Sequence, residues 1–187
     1  MIIRSAKIND KEKISKLIAE FRVELRQFKS ISSVANIDEA KEEFKEYMDA
    51  GYPVFVAEES NGKLLGYLVC RIDSGVVWVE SLFVSIDARR SGIATKLYIE
   101  AEKIADELGN DTVFNWIHPN NDKIIKFLSK MGYNVLNLIE IRKPWKNEVL
   151  TSKINVGNHE YNYWFFKGIL SVLCATKYYR LWQTRQH

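Results

Sequence analysis

Leu82-Phe83-Val84-Ser85-Ile86-Asp87-Ala88-Arg89-Arg90-Ser91-Gly92-Ile93-Ala94-Thr95 carries the chain from an apolar run, through a loop with two adjacent arginines, to a glycine where a helix opens. The run upstream, Val76 to Val84, is apolar enough to predict a central strand buried on both faces. Downstream, Ile93, Leu97, Ala101, Ile104 and Leu108 share one face of a helix that Gly109 ends. This order suits anion capture. The N–H groups of the first helical turn have no intrahelical partner, the helix dipole adds partial positive charge, and Gly92 lets a ligand come close to the backbone. Arginine side chains add charge-assisted hydrogen bonds, so the expected ligand is a phosphate or pyrophosphate. Neither G-x-x-x-x-G-K-[ST] nor G-x-G-x-x-G occurs, which excludes two common nucleotide loops.

Toward the N-terminus, Val54 to Ala57 and Leu64 to Ile72 flank the turn signal Ser60-Asn61-Gly62-Lys63 and predict an antiparallel hairpin, which Asp73-Ser74-Gly75 then turns into Val76 to Val84. Two amphipathic helices are predicted before it. The first carries Ile14, Leu17, Ile18, Phe21, Leu25 and Phe28, with Asn9 and Glu12 in capping-box relation. The second carries Ile37, Ala40, Phe44 and Met48 and stops at Gly51.

Toward the C-terminus, Thr112 to Ile117 is a short β-like run. Asn120-Asn121 caps a helix bearing Ile124 to Met131, Gly132 closes it, and Tyr133 to Ile141 is expected to return as a strand. The fold class is therefore α+β, a mixed and mostly antiparallel central sheet flanked by helices, over residues 1–145. Residues 146–187 form a C-terminal extension, in which Leu150 to Val156 and His159 to Phe165 flank the hairpin signal Gly157-Asn158. Trp164 to Trp182 is apolar throughout much of its length. It suits folding back on its own domain, pairing with a second subunit as a homodimer, or lying on a membrane surface, and pairing is the reading favoured.

The 187 residues suffice for one domain with an appendage, and a net charge of +3 is too small to argue for a nucleic-acid partner. Cys70 and Cys174 have no metal-ligand spacing around them, so neither a metal site nor a disulfide framework is expected, and a reducing cytoplasm is the default setting. Charges precede any apolar stretch of signal-peptide length, and no span of about 18 apolar residues occurs.

In its context, Arg89-Arg90-Ser91-Gly92-Ile93-Ala94 resembles the R-x-x-G-x-A coenzyme A loop of the GNAT superfamily of acyl-CoA-dependent N-acyltransferases. Asn121, Ile124 to Leu128 and Gly132-Tyr133 are similar to that family's N-x-x-A-x-x-x-Y-x-x-x-G-F segment, and the order of elements agrees over about residues 1 to 142. The resemblance implies acetyl-CoA as cosubstrate and an amine, on a small molecule or on a protein, as acceptor. It implies an opening between the strands ending near Val84 and Ile117. There the backbone of Phe83 and Val84 would receive the acyl-pantetheine arm, and Asn121 would touch that arm. The N–H groups of Arg90, Ser91, Gly92, Ile93, Ala94 and Thr95 would take the pyrophosphate, with side-chain charge from Arg89 and Arg90. One departure stands out: the family's frequent general-acid tyrosine is here Leu128, leaving Tyr98, Tyr133 and Tyr161 as unranked substitutes.

Glu80 is a carboxylate inside an apolar strand, costly to desolvate unless a cleft or a partner receives it. Two readings fit: the general base implied by the resemblance, or a structural partner of an arginine such as Arg71. An alkyl amine, with a pKa of about 10.4, is neutral in less than about 0.1% of molecules at pH 7, so the chemistry asks for such a base. His118 before Pro119 suits a loop cap better than a substrate contact, and Cys70 suits core packing.

Overall fold

Backbone pairing begins earlier than the sequence suggests. In a computed structural model, which describes residues 1–28 and 31–163, Ile2–Ser5 already forms a strand, β1. Arg4 fixes this start. Its Nη1 and Nη2 donate to the two carboxylate oxygens of Asp10 at 2.7 and 2.8 Å, and Nε donates to Glu58 at 2.6 Å. Asp10 also accepts from the Lys7 N–H at 2.8 Å, so the reciprocal cap expected of Asn9 and Glu12 is made here by Asp10. Asn9 lies inside the 3-10 turn Ile8–Asp10, and Glu12 reaches Lys41 instead, at 2.9 Å.

Helix α1 (Lys11–Gln27) and helix α2 (Ile37–Asp49) pack together. Asn36 caps α2, its Oδ1 accepting from the N–H groups of Asp38 and Glu39. Arg22 pairs with Glu43 and also reaches the Tyr47 hydroxyl at 3.1 Å, and Arg26 reaches Glu39 at 3.4 Å.

Strands β2 (Val54–Glu58), β3 (Leu64–Asp73), β4 (Val76–Val84) and β5 (Phe114–Asn115) complete a sheet of order β1-β2-β3-β4-β5. All neighbours are antiparallel except β4 and β5, which run parallel. The expectation of a strand buried on both faces falls on β3 rather than β4. β3 is buried without interruption from Leu64 to Cys70, whereas β4 is flanked by β3 but by only two residues of β5. Side chains alternate across the sheet. Tyr67, Val69 and Phe83 join α1 and α2 in one core with Ile14, Ile18 and Phe44, and α3 (Ile93–Glu107) lies against β3 and β4 through Leu97, Tyr98 and Ala101.

The described residues form two compact units, Met1–Gln27 with Ser32–Trp116, and the remainder from Ile117 onward with Phe28 and Ile31. The second unit holds α4 (Asp122–Lys130) and the hairpin of β6 (Ser152–Val156) and β7 (His159–Tyr163), where Val156 opposes His159 across the expected two-residue turn. Tyr133 to Ile141 is not a strand. Asn134, Asn137 and Glu140 recur every third residue, so neither face of an alternating strand would be apolar, and Val135, Leu136, Leu138 and Ile141 are exposed. Trp164 to Trp182, with Cys174, lies outside the described residues. No helix among the described residues is long and apolar enough to cross a membrane.

Gly66 sets how closely β3 and the end of β4 approach. A Cβ there would meet the Phe83 carbonyl oxygen at 2.7 Å and the Val84 Cα at 3.2 Å, both backbone atoms that cannot rotate away. Gly66→Ala should destabilise the protein by about 1–3 kcal/mol, the usual cost of overpacking. Urea unfolding checks this, and an unchanged midpoint would contradict it.

Candidate active site

The ladder between β3 and β4 slips by one residue. Val69 opposes Ser81 and Cys70 opposes Val79, which leaves Glu80 as the extra residue of a β-bulge. The bulge stands where β4 loses its other neighbour, because β5 pairs only with Trp78 and Val79. Beyond it, the Ser85 N–H donates to Leu65 O at 2.8 Å. Antiparallel alternation then turns the amides of Phe83 and Ser81 toward β3, and those of Leu82 and Val84 toward the side where β5 has ended. Of the two residues expected to present backbone there, Val84 does so. Phe83 faces β3, and its ring is in the core against Phe21 and Tyr67. Leu82, two residues before Val84 and not singled out by the sequence, turns its amide the same way.

Glu80 meets Arg71 of β3, Oε2 lying 3.5 Å from Nε, with both side chains about one-fifth exposed. Arg71 Nη1 also donates to Asp73 at 3.2 Å. Its guanidinium lies over the rings of Trp78, at 5.6 Å, and Trp116, at 5.8 Å. Trp78 in turn touches Phe114 and Trp116, each with 5.2 Å between ring centroids. The Tyr52 hydroxyl is near enough to feel the charges of Arg71, Glu80 and Asp73, and burial raises its pKa.

At the far end of β4 the two loop arginines differ. Arg89 points inward: Nε donates to Val84 O at 2.9 Å, Nη1 and Nη2 donate to the Glu24 carboxylate at 3.1 and 2.5 Å, and the guanidinium covers the Phe83 ring at 5.3 Å. The charge expected from Arg89 for an anion is thus directed at Glu24 of α1. Arg90 is exposed and holds the left-handed φ of 64°, a conformation costing a non-glycine residue about 1–2 kcal/mol. Ser91 Oγ donates to Ala88 O at 2.6 Å. Gly92, at φ 79°, is the N-cap of α3; a Cβ there would meet nothing within 4 Å, and no acidic residue occupies the first turn. The Lys96 N–H closes the first intrahelical bond onto Gly92 O, so the N–H groups of Ile93, Ala94 and Thr95 precede the α3 ladder.

Tyr98 of α3 meets the Asn115 side chain, with 2.8 Å between Oη and Nδ2, at the last paired residue of β5. In the second unit, Asn121 Oδ1 accepts from the Ile124 N–H at 3.3 Å, and Leu128 is a buried core residue with no proton to donate. The Asn120 N–H donates to His118 Nδ1 at 3.2 Å, the loop-capping contact expected of that histidine. Cys70 is buried and its thiol is pushed up to about 12, so it is inert core.

A parting between parallel strands, with an uncapped helix N-terminus beyond it, defines the acyl-CoA N-acyltransferase architecture. Residues 18–133 match the model of the acetyltransferase (GNAT) family, and the chain belongs to that family of acyl-CoA-dependent N-acetyltransferases, whose acetyl donor is acetyl-CoA. Solved structures share the fold. A possible acetyltransferase from Clostridium difficile superposes with a TM-score of 0.61 at 15% identity, over 78% of this chain and 98% of that one. AAC(6')-Iy in complex with the bisubstrate analogue CoA-S-monomethyl-acetylneamine gives 0.58 at 20% identity, over 77% and 98%. The aminoglycoside 6'-N-acetyltransferase AAC(6')-IG from Acinetobacter haemolyticus gives 0.54 at 18%, over 80% and 100%.

The Arg89–Glu24 pair ties α1 to the loop, so the two residues should be energetically coupled. A double-mutant cycle of Arg89→Met and Glu24→Gln, read by urea unfolding, should give a coupling of about 0.5–3 kcal/mol. Strictly additive effects would contradict the clamp.

Proposed function

We propose that this chain transfers the acetyl group of acetyl-CoA directly to the primary amine of a small molecule, with both substrates bound together and Glu80 as general base. The observation that carries this reading is Glu80 as the bulge residue at the parting of β4 from β5. A carboxylate there stands beside the edge along which the acyl-pantetheine arm would run. The amine gives its proton to Glu80, and its nitrogen lone pair attacks the thioester carbonyl. The C–S bond then breaks with its electron pair going to sulfur. Backbone N–H of Val84, with Leu82 beside it, would stabilise the oxyanion, which is the role for which such donors are most effective. Holding the two reactants together is worth about 7–11 kcal/mol in favourable cases.

On this reading the pyrophosphate sits on the N–H groups from Arg90 to Thr95, with the Arg90 side chain adding charge. Arg89 acts through its clamp on the loop. A thiol pKa of about 8.5 makes the thiolate a fair leaving group unaided. Tyr98 is fully buried with its hydroxyl held by Asn115, so it is given no part in protonating the thiolate.

Support for a small cationic acceptor comes from α2, whose six acidic residues outnumber its own two lysines even with Glu39 and Glu43 paired to arginines of α1, and from two fold relatives, one named an aminoglycoside 6'-N-acetyltransferase and one bound to a CoA–acetylneamine analogue. Self-association through residues 164–182, in a cytoplasmic setting, belongs to the same reading.

Thiol release from acetyl-CoA across a panel of primary alkylamines, aminoglycosides included, tests the proposal. Glu80→Gln should lower turnover by roughly 10²–10⁴ and leave coenzyme A affinity by calorimetry nearly unchanged, because a base acts in the transition state. Wild-type turnover in that variant would make Glu80 structural.

A further inference from the structure

Arginine meets carboxylate at several places in the described residues, and two of the meetings are single and long, the exposed Arg26–Glu39 at 3.4 Å and the more buried Arg71–Glu80. Arg4–Asp10, Arg89–Glu24 and Arg142–Glu148 are two-pronged, each with two contacts between 2.5 and 3.1 Å. Arg71 meets Glu80 through one contact of 3.5 Å, beyond ordinary hydrogen-bond length. The looseness does not come from a mobile guanidinium. Arg71 lies against the adjoining rings of Trp78 and Trp116, whose centroids are 5.2 Å apart, and donates to Asp73. Glu80, by contrast, is the bulge residue, so it has no cross-strand partner to fix it.

We infer that Arg71, packed against Trp78 and Trp116, is a positioning residue for Glu80: it sets a positive charge beside the carboxylate at the parting of β4 and β5 without tying up the oxygens that must accept a proton. This rests on the reading of Glu80 as base. A two-pronged pair would satisfy both oxygens and oppose protonation; no pair at all would leave a partly buried carboxylate inclined to take a proton from water. A guanidinium cannot itself exchange the proton at any working pH. The groups facing Glu80 within its unit are Arg71 and Asp73 from β3 and the Tyr52 hydroxyl after α2, with Trp78, Phe114 and Trp116 uncharged around them. Arg71 is the one cation among them.

The sign of the effect follows. A neighbouring cation lowers a carboxylate pKa, so its removal should raise it. The test uses the full chain, with Arg71→Met, Arg71→Lys and Glu80→Gln measured side by side. Glutamate Cδ-labelled protein, with the Glu80 signal assigned by its loss in Glu80→Gln, gives the carboxyl titration by carbon NMR. Turnover is read with acetyl-CoA and the best amine of the panel. In Arg71→Met the titration and the acid limb of the kcat profile should both move up, kcat should fall roughly tenfold or more, and KM for acetyl-CoA should stay within about twofold. Arg71→Lys should bring the limb back toward wild type, and Arg71→Gln, expected to behave as Arg71→Met does, covers the case in which the methionine variant does not fold. An unmoved titration in the folded charge-removing variant overturns the inference, as does a moved titration with unchanged kcat. If Glu80→Gln is slow while Arg71→Met matches wild type, only the role of Arg71 falls. If Glu80→Gln turns over at the wild-type rate, the base reading falls and takes this inference with it.

Discussion

One extra residue in β4 governs the rest of the site. The bulge increases local twist, β5 ends after two paired residues, and the edge from Glu80 to Val84 is left without a strand. An unpaired edge inside a fold is costly unless something takes up its N–H and C=O groups. Here the Val84 carbonyl is taken by Arg89, and the amides of Leu82 and Val84 point away from β3.

Arginines hold this arrangement by position more than by number. Arg89 bridges the end of β4 to α1 and covers Phe83, so the loop to α3 is tied to the core it leaves. Arg90, next to it, is exposed in a left-handed conformation. Two residues adjacent in sequence therefore have opposite environments, one linking the scaffold and the other turned to solvent. Arg22 and Arg4 make comparable ties between α1 and α2 and between β1 and the first turn.

Much of this was legible in the sequence, for local physical reasons. Gly92 before an amphipathic run, the stop of α2 at Gly51 and the Gly157-Asn158 hairpin are signals whose cause lies within a few residues. Glu80 was legible because a carboxylate in an apolar strand needs a reason. What was not legible depends on pairing between distant segments. β1 is four residues long and takes its stability from β2 and from Arg4, which no local pattern reveals. The inward turn of Arg89 requires Glu24, sixty-five positions away in the chain. Tyr133 to Ile141 shows the converse, since apolar content without period-two alternation was taken for a strand that does not form.

The central claim is that the open edge of β4 and the N-terminus of α3 together receive coenzyme A. Amide hydrogen exchange by mass spectrometry, with and without saturating coenzyme A, tests it most directly. Slower exchange confined to peptides covering residues 80–85 and 89–96, and lost in Gly92→Glu, is the expected result. Ligand-induced protection that misses both segments, or that survives unchanged in Gly92→Glu, would contradict the account.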